Sequence, residues 1–138
     1  MSDHASAPDG LFSDIFTGED RRMLAELGFY AVGGGLPGLA ERIFAGLELL
    51  CPPGSEGGEA VRIGLALAAM GRDEPETAVE ILRRAQPTDA VTVYLGVALA
   101  KAGEQAEARE VLEDLLATGP DPNHAGLAQA TLDAMAEG

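Results

Sequence analysis

Gly33, Gly35 and Gly38 stand at the G-x-G-x-x-G spacing that can cradle a dinucleotide pyrophosphate. That chemistry needs a strand before the glycines, a helix dipole behind the phosphate and an acid further on for the ribose. Here the run follows a helical pattern, contains Pro37 and falls where one helix must turn into the next. The glycines therefore read as a turn, and no Gly-Lys-Ser/Thr follows them to make a P-loop. The metal-ligating residues are as scattered: His4 near the start, His124 alone, and Cys51 without a second thiol. Zinc takes about four nitrogen or sulfur ligands, and a calcium loop needs more oxygens than Asp121 and Asn123 bring. Asn123 reads instead as a helix cap. Ser2, Ser6, Ser13 and Ser55 have no histidine placed to activate them. The many carboxylates fall on polar helix faces, with no sign of a pocket raising one pKa. The expectation is a non-catalytic chain with no metal and no cofactor.

Composition narrows the partners. The 138 residues carry 9 basic and 23 acidic side chains, a net charge of −14. Such a field repels nucleic acid and anionic membranes and favours solubility or basic partners. The longest apolar stretches, 63–70 and 91–100, are about half a membrane span, so no span is expected. One cysteine and no secretory h-region after Met1 point to a reducing, cytoplasmic setting. Eight arginines against one lysine, with abundant Ala and Gly, suggest a GC-rich bacterial coding bias. Aromatics are 4% and Trp is absent, so the core must be built from Leu, Ala, Val and Ile.

The elements that position these residues are helical. Residues 1–16 form a tail, polar over 1–10 and expected to be disordered, then apolar at Leu11, Phe12, Ile15 and Phe16. One helical turn would put those four on a single face, a candidate docking hook. Residues 17–138 read as one all-α domain of seven helices. Thr17 with Asp20 offers a capping box for a helix to about Val32; the next runs from Pro37 to about Leu50, and a third spans about 57–70. Asp73 with Glu76 starts a fourth, to about Ala85; the fifth and sixth span about 89–102 and 104–118. Asn123 caps a seventh, to about 136.

A sparse pattern runs through them. Leu27, Gly28, Gly35, Ala40, Phe44, Leu47 and Pro52 recur as Leu95, Gly96, Gly103, Ala108, Leu112, Leu115 and Pro120, each 68 residues on, twice 34. The middle copy keeps Gly64, Leu67 and Gly71; Ala78 and Leu82 then fall late and Pro87 early. A 34-residue period of these residue types resembles the tetratricopeptide (TPR) repeat. The resemblance implies three degenerate helical hairpins (about 21–54, 57–88 and 89–122) and a capping helix at about 123–136, stacked as an α-solenoid.

In TPR hairpins the first helix of each repeat lines a concave groove. Carried over, those positions give Arg22, Ala25, Phe29, Val32 and Gly33; then Gly58, Val61, Leu65, Ala68 and Ala69; then Ala90, Val93, Val97, Ala100 and Lys101. The implied groove is small and apolar with a basic residue near each end. It lacks the Lys, Asn and Arg set that grips acidic peptide termini in carboxylate-clamp TPR domains, and suits the apolar face of an amphipathic helix. Over residues 22–136 the chain also resembles the small TPR chaperones of type III secretion needle subunits. MLAELGFYAVGGGLPGLAERIFAGL, GEAVRIGLALAAMGRDEPETAVEIL and TDAVTVYLGVALAKAGEQAEAREVLEDLL carry that likeness. The resemblance implies a bacterial cytoplasmic chaperone that holds a helix of a secreted, self-assembling client, often beside a small helical co-chaperone. The hook departs from that family's shorter pattern and keeps open a translocator-type chaperone that forms a homodimer. A general TPR adaptor outside secretion is the remaining reading.

Overall fold

A computed structural model describes residues 18–52, 54–55 and 57–138. Among them lie seven α-helices and no strand: α1 (Gly18–Gly33), α2 (Pro37–Leu50), α3 (Gly58–Gly71), α4 (Pro75–Arg83), α5 (Asp89–Lys101), α6 (Gln105–Ala117) and α7 (Pro122–Glu137). The described residues are all-α, as their periodicity predicts, with boundaries within about two residues of those read from sequence.

Three turns, α1–α2, α3–α4 and α5–α6, share one construction. Gly35, Asp73 and Gly103 take left-handed φ values of 78°, 63° and 87°. The next residues, Leu36, Glu74 and Glu104, donate their N–H to the carbonyls of Ala31, Ala69 and Leu99, five residues back. That 6→1 bond closes the first helix. The same three residues then accept from the N–H of Ala40, Ala78 and Ala108, opening the second helix. Pro37 and Pro75 occupy first-turn positions where a missing N–H costs nothing.

Two sequence expectations give way here. Asp73 does not cap α4 through its side chain; it supplies the left-handed turn, a conformation that Asp tolerates better than most residues. At α7 the cap is Asp121, whose carboxylate accepts from the N–H of Asn123 (2.9 Å) and of His124 (3.0 Å). Pro122 at the first helical position places the cap two residues before Asn123. Thr17 lies outside the described residues.

Each helix packs on the next, and α1, α3, α5 and α7 also pack in sequence on one another. The second helices α2, α4 and α6 do not pack together; the Arg83–Glu107 pair (2.8 Å) alone is seen to bridge α4 and α6. The core is a series of clusters along this array. Phe44, Leu47, Cys51, Val61 and Ala68 centre the first; Ala78, Leu82, Val91 and Ala98 the second; Val93, Leu112, Leu115 and Ala128 the third. Among the described residues no polar or charged side chain is buried. Arg72 pairs with Glu74 inside the α3–α4 turn (3.0 Å) and ties that turn to α2 through Glu41, and these hydrogen bonds hold its guanidinium above the usual arginine pKa.

Buried side chains set the true register. Ala40, Ala78 and Ala108 are buried equivalents, as are Phe44, Leu82 and Leu112, so successive hairpins are displaced by 38 and then 30 residues. The extra residues lie in the 51–57 connection, and the deficit in α4, which has 9 residues where α2 has 14 and α6 has 13. In this register Gly28, Ala66 and Gly96 are equivalent, each 16 residues before its Phe44, Leu82 or Leu112. Gly64, which the sequence pattern offers as the middle copy, has another task. A Cβ there would lie 2.3 Å from Cζ of Phe44, and one on Gly28 2.6 Å from Cε2, so the ring sits between two bare helix backbones.

Candidate partner-binding surface

The 38-and-30 register decides which side chains share the face of α1, α3 and α5 implied by the repeat. Phe29 of α1 is equivalent to Leu67 of α3 and Val97 of α5; Val32 is equivalent to Met70 and Ala100. All six are partly buried, so each shows some surface. Phe29 packs against the first two core clusters, its ring edge-on to Phe44 at 4.8 Å between centroids. Arg22 and Lys101 are exposed at opposite ends of the row, and Ala25 is half-buried near Arg22.

The residues expected from α3 are displaced. Val61, Ala68 and Ala69 are buried, and so is Val93 of α5; these side chains form the core and offer a partner nothing. Leu65 is half-buried against the first cluster. The reason is physical: α3 and α5 are flanked on both sides, so a wider arc of each is interior, and the longer 51–57 connection moves the repeat frame by two positions. Leu67 and Met70, which sequence reasoning left out, take the vacated places. The late Ala78 and Leu82 carried the signal that would have found them.

At the far end of the row the face opens into a depression of about 740 Å³. Val97 and Ala100 of α5 and Ala130, Ala134 and Met135 of α7 give it an apolar lining, and Lys101 and Arg109 stand at its edge. Neither cation makes an ion pair among the described residues. The arrangement can hold an apolar helical stripe with an acidic group at one end.

The other motifs fall into structural roles. Gly33 ends α1, Gly35 makes the left-handed turn and Gly38 lies inside α2, a helix–turn–helix rather than a strand–turn–helix. Cys51 is a buried free thiol in the first cluster. Among the described residues no group of three or more His, Cys, Asp or Glu could hold a metal ion, and no helix is long and apolar enough to cross a membrane. Leu11, Phe12, Ile15 and Phe16 lie outside the described residues. Comparison of the chain with protein-family models, with curated proteins and with solved structures finds no match.

Proposed function

We propose that the chain is a non-catalytic protein-binding module of TPR type, closed by α7, that holds an amphipathic helix of a partner against α1, α3 and α5. The observation that carries this reading is the row Phe29, Leu67 and Val97 leading into the apolar depression between α5 and α7. Support for the TPR assignment comes from three turns of one construction and from first helices packed in sequence. Helix recognition needs apolar anchors at i, i+3, i+4 and i+7 and little else, and this face supplies apolar seats with cations only at its ends.

Within that reading, the sequence resemblance to needle-subunit chaperones favours a secretion chaperone. Its task there is to keep a self-assembling client monomeric by burying the apolar face through which the client polymerises. An affinity in the micromolar range, about −8 kcal/mol, is enough for sequestration when the chaperone at least matches its client and is present well above that dissociation constant.

The test is capture of partners by the tagged chain in its native host, followed by titration of the recovered client. Val97→Asp is the informative variant, because Val97 belongs to the face and to none of the core clusters. It should weaken client binding at least about tenfold, or 1.4 kcal/mol, with helicity unchanged. Leu65→Asp is a poorer probe, since Leu65 supports the first cluster. Full client affinity in a folded Val97→Asp protein rejects this face as the site. A captured assembly of large, non-secreted proteins favours the adaptor reading.

A further inference from the structure

The backward-facing flank of each first helix is covered in hairpins two and three. In α3 the residues there are Val61, Leu65 and Ala68, and α2 packs on them within the first cluster. Val91, Leu95 and Ala98 are their counterparts in α5, and α4 packs on those within the second. Val61 and Ala68 are 2% and 1% exposed, Val91 and Ala98 2% and 0%. By the register established above, the equivalents in α1 are Met23, Leu27 and Tyr30. They are 53%, 50% and 79% exposed, and no described element precedes α1. Apolar side chains thus stand exposed in α1 where its counterparts carry buried or partly buried ones, on a flank built to be covered.

Among the described residues the large exposed apolar side chains all belong to α1, to α2 or to the turn between them. The uncovered surface is therefore confined to one end of the array, and its exposure is not a general property of the molecule.

We propose that residues 11–16 of the same chain cover this flank, with Leu11, Phe12, Ile15 and Phe16 packing on Met23, Leu27 and Tyr30 as α2 packs on α3. Reach permits it. Met23, Leu27 and Tyr30 stand roughly 8, 14 and 18 Å along the helix from Gly18. Residues 16 to 11 are two to seven residues before Gly18, and chain of that length extends at most about 7 to 24 Å. Charge favours the segment over a second copy, because two chains of −14 each repel on approach. The contact is made on the end of the array, away from the face assigned to the partner helix, so the two proposals stand or fall separately.

Methyl NMR on the full chain tests it, because Met23, Met70 and Met135 are reporters in different parts of the array. In the double variant Phe12→Asp/Phe16→Asp, the Met23 methyl and Tyr30 ring resonances should shift. Those of Met70 and Met135 should stay, which also reports that the array remains folded. The shifts should be the same in dilute and concentrated samples, with light scattering giving the monomer mass. Met23 and Tyr30 resonances indifferent to the substitutions overturn the proposal. So does a Met23 shift that appears only at concentrations where the mass doubles, since the covering element then comes from a second copy.

Discussion

At the scale of single residues, Phe44 shows how few atoms hold the first hairpin together. Its ring is fully buried between Gly28 and Gly64, with Phe29 set edge-on against it. Replacing a glycine by alanine inside a helix ordinarily stabilises by about 1 kcal/mol. At Gly64 the new Cβ would press into the aromatic ring, and overpacking of this kind costs about 1–3 kcal/mol. The second effect wins, so Gly64→Ala should destabilise the protein in urea unfolding. Combining it with Phe44→Leu should cost less than the two single changes added together, because the pair shares one contact. Additive losses would show that the ring and the Gly64 backbone are not coupled. The sequence announced that Gly64 mattered but not why: the contact joins residues of different hairpins, and spacing within a repeat cannot report it.

Elements were legible where local chemistry decides them. The prolines, the left-handed glycines and the apolar stripes mark all seven helices, because each acts within a turn or two of itself. What failed were choices between adjacent candidates. Asn123 and Asp121 are both good caps, and Pro122 at the first helical position selects Asp121. Its carboxylate serves two N–H groups, so Asp121→Ala should cost about 1 kcal/mol and fray the start of α7. Asn123→Ala should be close to neutral. Circular dichroism with urea unfolding of both variants checks the order, and a larger loss at Asn123 would overturn the assignment. The frame of the middle hairpin was misread for a related reason. A longer 51–57 connection and a shorter α4 offset each other, so the outer copies keep their 68-residue separation while the inner one moves.

Over the whole molecule, contacts among the described residues run only between adjacent helices and in sequence among α1, α3, α5 and α7. Stability in such an array is close to a sum of local terms. Interior helices α3 and α5 have neighbours on both sides, while α1 and α7 lie at the ends of the described array. Hydrogen exchange should therefore be slowest in α3 and α5 and fastest in the first turns of α1 and the last turns of α7. Uniform protection across all seven helices would show a single cooperative unit instead. The all-α class followed from sequence, but the exposed flank of α1 did not. Met23, Leu27 and Tyr30 look like ordinary core positions until the structure shows them half or more exposed.

The separation of α2, α4 and α6 has a mechanical meaning. One side of the array is a layer of helices in contact, stiff against compression; the other is a row of helices with gaps, joined across one of them by an exposed arginine–glutamate pair. A beam made this way is soft in one direction only. Bending should open the gapped side and change the curvature of the opposite face, so that a partner helix held there, as proposed, would meet a cradle whose radius adjusts without parting any hairpin.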